Sequence, residues 1–152
     1  MNFMENKHNF DYLIERLSLR LNLNFSLSTE GTCRIFFDGD EVNFEVNNEV
    51  LYIYAPLCDS KSLEYKTCIN LLKENHLGDN FLSISPQTME VCLNLVITSS
   101  EDYDRFEQHL SQFVDKLRRI KIKIETNDFE DSKESEQHTY SLSDLMTHAI
   151  SV

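Results

Sequence analysis

The residues that could do chemistry here are five histidines, four cysteines and a few close pairs of acids. The histidines are His8, His76, His109, His138 and His148, and no two share a metal-ligand spacing. His76 and His109 read as residues on exposed helix faces. The acids pair as Asp38/Asp40 and Glu101/Asp102. General acid–base work needs carboxylates in a cleft that perturbs their pKa. These pairs fall instead at a turn and at a helix start, where acids serve the backbone. Asp38-Gly39-Asp40 is also too short for a calcium loop, whose ligands span about a dozen residues. The cysteines Cys33, Cys58, Cys68 and Cys92 form no CxxC and no close pairing with histidine, and they read as structural residues. The chain has only three glycines and no Gly-rich phosphate loop, and HExxH and GxSxG are missing too. The reading is of a protein that is not an enzyme and needs no cofactor and no metal.

The elements follow from hydrophobic spacing. Phe10, Leu13, Ile14, Leu17 and Leu21 recur at helical period, with Asn9 as a candidate cap. Leu23-Asn24-Phe25-Ser26-Leu27 alternates as a strand would, and Ser28 to Gly31 reads as a turn. Three strands follow, around Cys33–Phe37, Val42–Val46 and Val50–Ala55, separated by Asp38-Gly39-Asp40 and Asn47-Asn48. The third is apolar on both faces, as a central strand is, and Pro56 ends it. A second helix is expected from an Asp59-Ser60 cap to about His76, with Gly78 beyond its end. Phe81 to Ile84 reads as a strand, and Met89 to Ile97 as a longer one. Ser99 to Asp102 opens a third helix with the stripe Tyr103, Phe106, Leu110, Phe113, Val114 and Leu117. Ile120, Ile122 and Ile124 suit a helix tail or a short strand.

The predicted class is α+β, in the order α-β-β-β-α-β-β-α. A twisted antiparallel sheet would carry helices packed on it. Residues 1–124 form the expected domain. From Glu125 to Tyr140 six acids face Lys133 alone, with little to bury, so a disordered stretch is expected. In the last residues Leu142, Leu145, Met146, Ala149 and Ile150 would share one face of a short helix.

The length, 152 residues, suits one domain with one core. A net charge of −12 argues against nucleic acid or an anionic membrane as partner, since both call for a basic footprint. Met1 to Phe10 has no apolar core, so it does not read as a signal peptide. Val50 to Leu57 is too short to cross a bilayer. Unpaired cysteines fit a reduced, cytosolic setting.

This order of elements, with its local sequences, resembles the class I chaperones of bacterial type III secretion, the Tir-chaperone-like family. The opening helix running into Leu23-Asn24-Phe25 is similar to the family's start. Val50-Leu51-Tyr52-Ile53-Tyr54-Ala55-Pro56-Leu57 is similar to its third strand. Leu71-Leu72-Lys73-Glu74-Asn75-His76-Leu77-Gly78 is similar to its "LL-x-x-N-x-L-G" segment. Ser85 to Leu93 is similar to its last hairpin, and Phe106, Leu110, Phe113 and Val114 match its final helix. The likeness spans roughly Phe10 to Arg119. There is no Trp near the end of the third helix, and the tail beyond Ile124 extends past the usual family end.

The resemblance implies an ATP-independent homodimer in the bacterial cytoplasm. It would bind the N-terminal segment of a secreted effector protein in extended form and keep it soluble and secretion-competent. The secretion ATPase is a further partner it allows. The twofold contact would involve Leu63, Cys68, Ile69, Leu72, Phe81 and Ile84. Leu23, Phe25, Phe36, Tyr52 and Tyr54 would touch the effector, because Phe36, Tyr52 and Tyr54 point away from the strand residues that face the core. The alternative is a non-catalytic adaptor or regulatory module that binds a folded partner on a similar α+β core.

Overall fold

Helical apolar spacing builds the first element, α1, Phe3–Leu21. It buries Phe10, Leu13, Ile14 and Leu17 of the predicted stripe, while Leu21 is only partly buried against the core. It begins well before the expected Asn9 cap, so Asn9 lies inside the helix. It stops where Asn22 turns left-handed at φ 54°, a conformation that Asn tolerates. The structure, a computed structural model, describes residues 3–76, 78–98, 101–129 and 150–151.

The segment from Leu23 to Leu27 corrects one expectation. Its alternation shows in burial, with Leu27 in the core and Phe25 packed against it, but the segment is not a strand. Side chains are drawn inward at every second position, while no backbone ladder joins the segment to the sheet.

The meander forms with the predicted order. It comprises β1 (Thr32–Phe37), β2 (Asp40–Asn47) and β3 (Val50–Asp59), all antiparallel. Pro56 does not end the third strand, which runs on to Asp59, with Pro56 opposite Cys92 and the register shifting between Pro56 and Cys58. Asp38 and Gly39 both take positive φ, 51° and 88°, which the tight hairpin between β1 and β2 requires. A 3₁₀ turn at Ser60–Ser62 follows, and it is this turn that Asp59 caps, through Lys61 N at 3.0 Å. The second helix, α2, begins later than expected and is shorter, Tyr65–Glu74. Then come β4 (Phe81–Ile84) and β5 (Glu90–Thr98). Met89 is not in the strand; at φ 60° it belongs to the turn before it.

The third helix, α3, runs Tyr103–Thr126. The Asp102 carboxylate caps it by accepting from Arg105 N at 2.9 Å. Ile120, Ile122 and Ile124 are therefore helical; Ile120 is buried and Ile122 exposed. Asn127, left-handed at φ 52°, ends the helix, and Phe129 packs against the core. The folded part thus passes the boundary expected at Ile124. The acidic stretch beyond, residues 130–149, lies outside the described residues. Ile150, expected on a helix face, belongs instead to a short strand, β6 (Ile150–Ser151).

The sheet order is β4-β5-β3-β2-β1-β6. Ile35, Phe37, Val42, Phe44, Val46, Leu51, Ile53, Ala55, Leu93, Leu95 and Ile97 form one core with α1, α3 and Leu71 of α2. The helices therefore cover one face of the sheet. Each fully buried Phe or Leu there contributes about 1.5–3 kcal/mol. Ionic contacts fix how α3 lies. Arg118 meets Asp38 at 2.9 Å and Lys121 meets Asp40 at 2.6 Å, so the acids of the predicted turn pair with side chains of α3 and tie the hairpin to it.

Candidate functional site

The strand register defines the face opposite the helices. Cross-strand partners lie on the same face of a sheet, so rows can be read across it. One row runs Arg34, Asn43, Tyr54, Asn94, Phe81. Its neighbour runs Thr32, Glu45, Tyr52, Val96. A third begins at Phe36 and Glu41. Tyr52, Val96 and Phe81 are exposed, while Phe36 and Tyr54 are half-buried. Polar groups bind one another between these rings. Arg34 Nε donates to Asn43 Oδ1 at 3.0 Å and lies 3.3 Å from Glu41 Oε1. Asn94 Nδ2 donates to the Phe81 carbonyl at 3.0 Å and to Ser83 Oγ at 2.9 Å. Burial pushes the Tyr54 phenol up, and Glu45 adds to it.

A cavity of about 410 Å³ opens at the β1–β2 end, lined by Thr32, Cys33, Arg34, Asn43, Phe44 and Tyr54. Burial pushes the Cys33 thiol up to about 12, so it is a poor nucleophile. No group of three His, Cys, Asp or Glu among the described residues could hold a metal ion. The surface can offer aromatic contacts and main-chain hydrogen bonds at a sheet edge; it brings no base to a nucleophile.

The residues expected to meet an effector are divided by the fold. Phe36, Tyr52 and Tyr54 share the open face. Phe25 packs against the helix-side core, and Leu23, half-buried, sits in the same loop. Val96, which the strand reading of Met89 to Ile97 did not single out, stands exposed beside Tyr52 on the same face.

A second apolar surface lies on α2 and β4, at the other end of the sheet. Ile69 and Leu72 of α2 and Phe81 and Ile84 of β4 are exposed, Leu72 by 61%. Leu63, by contrast, packs against the core, and Cys68 is half-buried. The α2 helix is tied to α3 by Lys123 to Glu74 at 2.9 Å and by Thr67 Oγ1 donating to Asn127 Oδ1 at 3.2 Å. Lys116 Nζ donates to the carbonyls of Glu74 and Asn80, at 3.4 and 3.2 Å. Asn75, the Asn of the "LL-x-x-N-x-L-G" segment, braces β4: its Oδ1 accepts from Leu82 N at 2.6 Å and its Nδ2 donates to Leu82 O at 3.3 Å. Glu101 pairs with His109 Nδ1, so His109 is half-buried rather than on an exposed face.

No helix among the described residues is long and apolar enough to cross a membrane. No curated protein matches the chain in sequence. Solved structures do match it in fold. The crystal structure of the ExsC–ExsE complex aligns at TM-score 0.68 and 19% identity, over 78% of this chain and 95% of that one. The HopA1–SchA chaperone–effector complex gives 0.63 and 14%, over 76% and 96%. The heterodimeric ExoU–SpcU complex from the type III secretion system of Pseudomonas aeruginosa gives 0.60 and 16%, over 76% and 98%. At these identities the likeness shows the fold. The sequence profile of the Tir chaperone protein (CesT) family matches residues 12–121, from α1 to near the end of α3, and the chain belongs to that family.

Proposed function

We propose that this protein is a type III secretion chaperone that holds the N-terminal segment of a secreted effector in extended form. It acts without ATP and without catalysis, as a homodimer in the bacterial cytoplasm. It keeps the segment soluble and hands it to the export machinery, with the secretion ATPase as a further partner. One observation supports this most. The helices cover a single face of the sheet, and the other face presents Phe36 at the β1 edge with Tyr52 and Tyr54 of β3 and Val96 of β5 further across it. An extended chain can join the β1 edge by main-chain hydrogen bonds beside Phe36, and its continuation can cross the open face over the tyrosine rings. A second copy covers Ile69, Leu72, Phe81 and Ile84, the apolar surface at the other end.

The test is capture from the native cell followed by paired substitution. The wild-type chain should retain a secreted protein through its N-terminal segment. Phe36→Glu with Tyr52→Glu should abolish that retention, while melting temperature and dimer mass stay near wild type. Retention of a folded protein that needs no extended segment would favour the adaptor alternative. Retention unchanged by the double substitution would place the effector elsewhere.

A further inference from the structure

The outer edge of β1 is already paired, and with this chain. Ile35 stands opposite Ser151 and Phe36 opposite Ile150, in an antiparallel ladder. The pairing covers two positions of a six-residue strand, whereas β3 and β5 pair along nine. So short a ladder contributes few hydrogen bonds and opens easily. Phe36 is also the one large apolar residue that β1 turns to the open face, where its neighbours in alternation are Thr32 and Arg34. The strand therefore lies on the edge where an extended client would add, opposite the residue best placed to receive a client side chain.

The connecting chain gives the reason such a weak pairing forms. Residues 130–149 link Phe129 to Ile150. Fully extended they could span up to about 70 Å, so the link permits both docking and release. Because the strand is part of the same chain, its pairing is intramolecular and does not depend on protein concentration. Ile150 and Val152 alternate with Ser151, a pattern that suits a strand with one apolar side.

We propose that the β1 edge is a docking site for an extended segment, and that residues 150–151 of the same chain fill it as an intramolecular stand-in that a client displaces. The identity of the displacing client rests on the chaperone reading; the occupancy by the stand-in does not.

The test uses the full chain and its Ile150→Pro variant, since proline removes a ladder N–H and resists pairing. The probe is a synthetic, fluorescently labelled peptide of residues 140–152, added in trans. Anisotropy should show the peptide binding the variant at least about tenfold more tightly than it binds wild type, as expected when a tethered competitor is removed. Amide exchange at alternate residues of β1 should speed up by about tenfold in the variant, with β3 and β5 unchanged. Ile150→Asp, which keeps the N–H but sets a charge opposite Phe36, should act in the same direction. Equal peptide affinity for all three proteins, or β1 exchange that ignores both substitutions, overturns the proposal. Protection of β1 that falls on dilution would assign the strand to a neighbouring copy and overturn the intramolecular form. Neither readout contains an effector. A failed client capture would therefore sink the chaperone reading and leave the stand-in intact, and the reverse also holds.

Discussion

Asn75→Ala asks what braces the β4 edge. The Asn75 amide accepts from Leu82 N at 2.6 Å and donates to Leu82 O at 3.3 Å, so it pairs with β4 much as a neighbouring strand would. Leu82 itself is 8% exposed, and its side chain belongs to the core. Alanine removes both bonds at once. A net hydrogen bond is worth about 0.5–1.5 kcal/mol, and a buried group left unpaired costs about 1–3 kcal/mol. Water can reach an edge strand and recover part of that loss, so the expected destabilisation is about 2 kcal/mol. For a domain of this size that corresponds to a fall in melting temperature of roughly 8 °C. Asn75→Asp keeps the acceptor but sets a carboxylate oxygen against the Leu82 carbonyl, so it should lose at least as much. Urea unfolding gives the free energy, and amide exchange at Leu82 reports the brace directly. Wild-type stability to within about 0.5 kcal/mol, together with unchanged exchange at Leu82, would refute the reasoning.

Leu72→Asp should separate folding from self-association. Leu72 is 61% exposed in the single chain, so the monomer should change by no more than about 0.5 kcal/mol, while light scattering should show the dimer lost. A wild-type protein that stays monomeric at micromolar concentration would remove the premise. Cys33 should resist alkylation: the rise from 9.0 to about 12 lowers its thiolate fraction about 1,000-fold at pH 8 relative to an ordinary thiol. The same group makes stability depend on alkaline pH. The folded state holds this proton more tightly, so the contribution is complete below about pH 9 and is lost as pH rises towards 12. A Cys33 that reacts with iodoacetamide at the rate of a free thiol, or stability that is flat over that range, would contradict the burial.

What could be read from sequence was what local chemistry decides. Asp38-Gly39 had to be a tight turn, because few other pairs accept two positive φ values in succession. The stripe of α3 was legible because Phe106, Leu110, Phe113, Val114 and Leu117 need the same wall, and all are buried. The open-face residues Phe36, Tyr52 and Tyr54 followed from alternation alone. What stayed hidden depends on partners far along the chain. Leu23 to Leu27 alternates in burial, yet strand identity needs a neighbour to pair with, and periodicity does not supply one. The sequence around Ile150 fits a helix as well as a strand over so few residues, and pairing with Phe36 decides between them. The pattern that marked Asn75 could not show its use, which depends on how β4 comes to lie beside the end of α2.

The strand order explains how one sheet can serve two partners. An open antiparallel sheet has two edges, and each exposes unpaired backbone groups that invite association. Here β4 lies at one edge, and β1, with its short β6 cover, at the other. Between β4 and β1 lie β5, β3 and β2, which places the two about 19 Å apart at the usual spacing of about 4.8 Å per strand. That separation follows from the α2 crossover, which carries the chain past the meander so that β5 joins β3 and β4 is left outermost. The β4 edge is braced by Asn75 and flanked by the exposed Ile69, Leu72 and Ile84, features that suit a permanent contact with a second copy. The β1 edge is held by a ladder of two positions, which suits a contact made and released. A dimer formed through α2 and β4 would leave both β1 edges outermost, so self-association and the capture of an extended chain need not compete. The sharpest check combines the two surfaces. Leu72→Asp should yield a monomer whose β1 edge still binds the 140–152 peptide once Ile150→Pro has cleared it. Loss of that binding in the monomer would mean that the two edges are not independent.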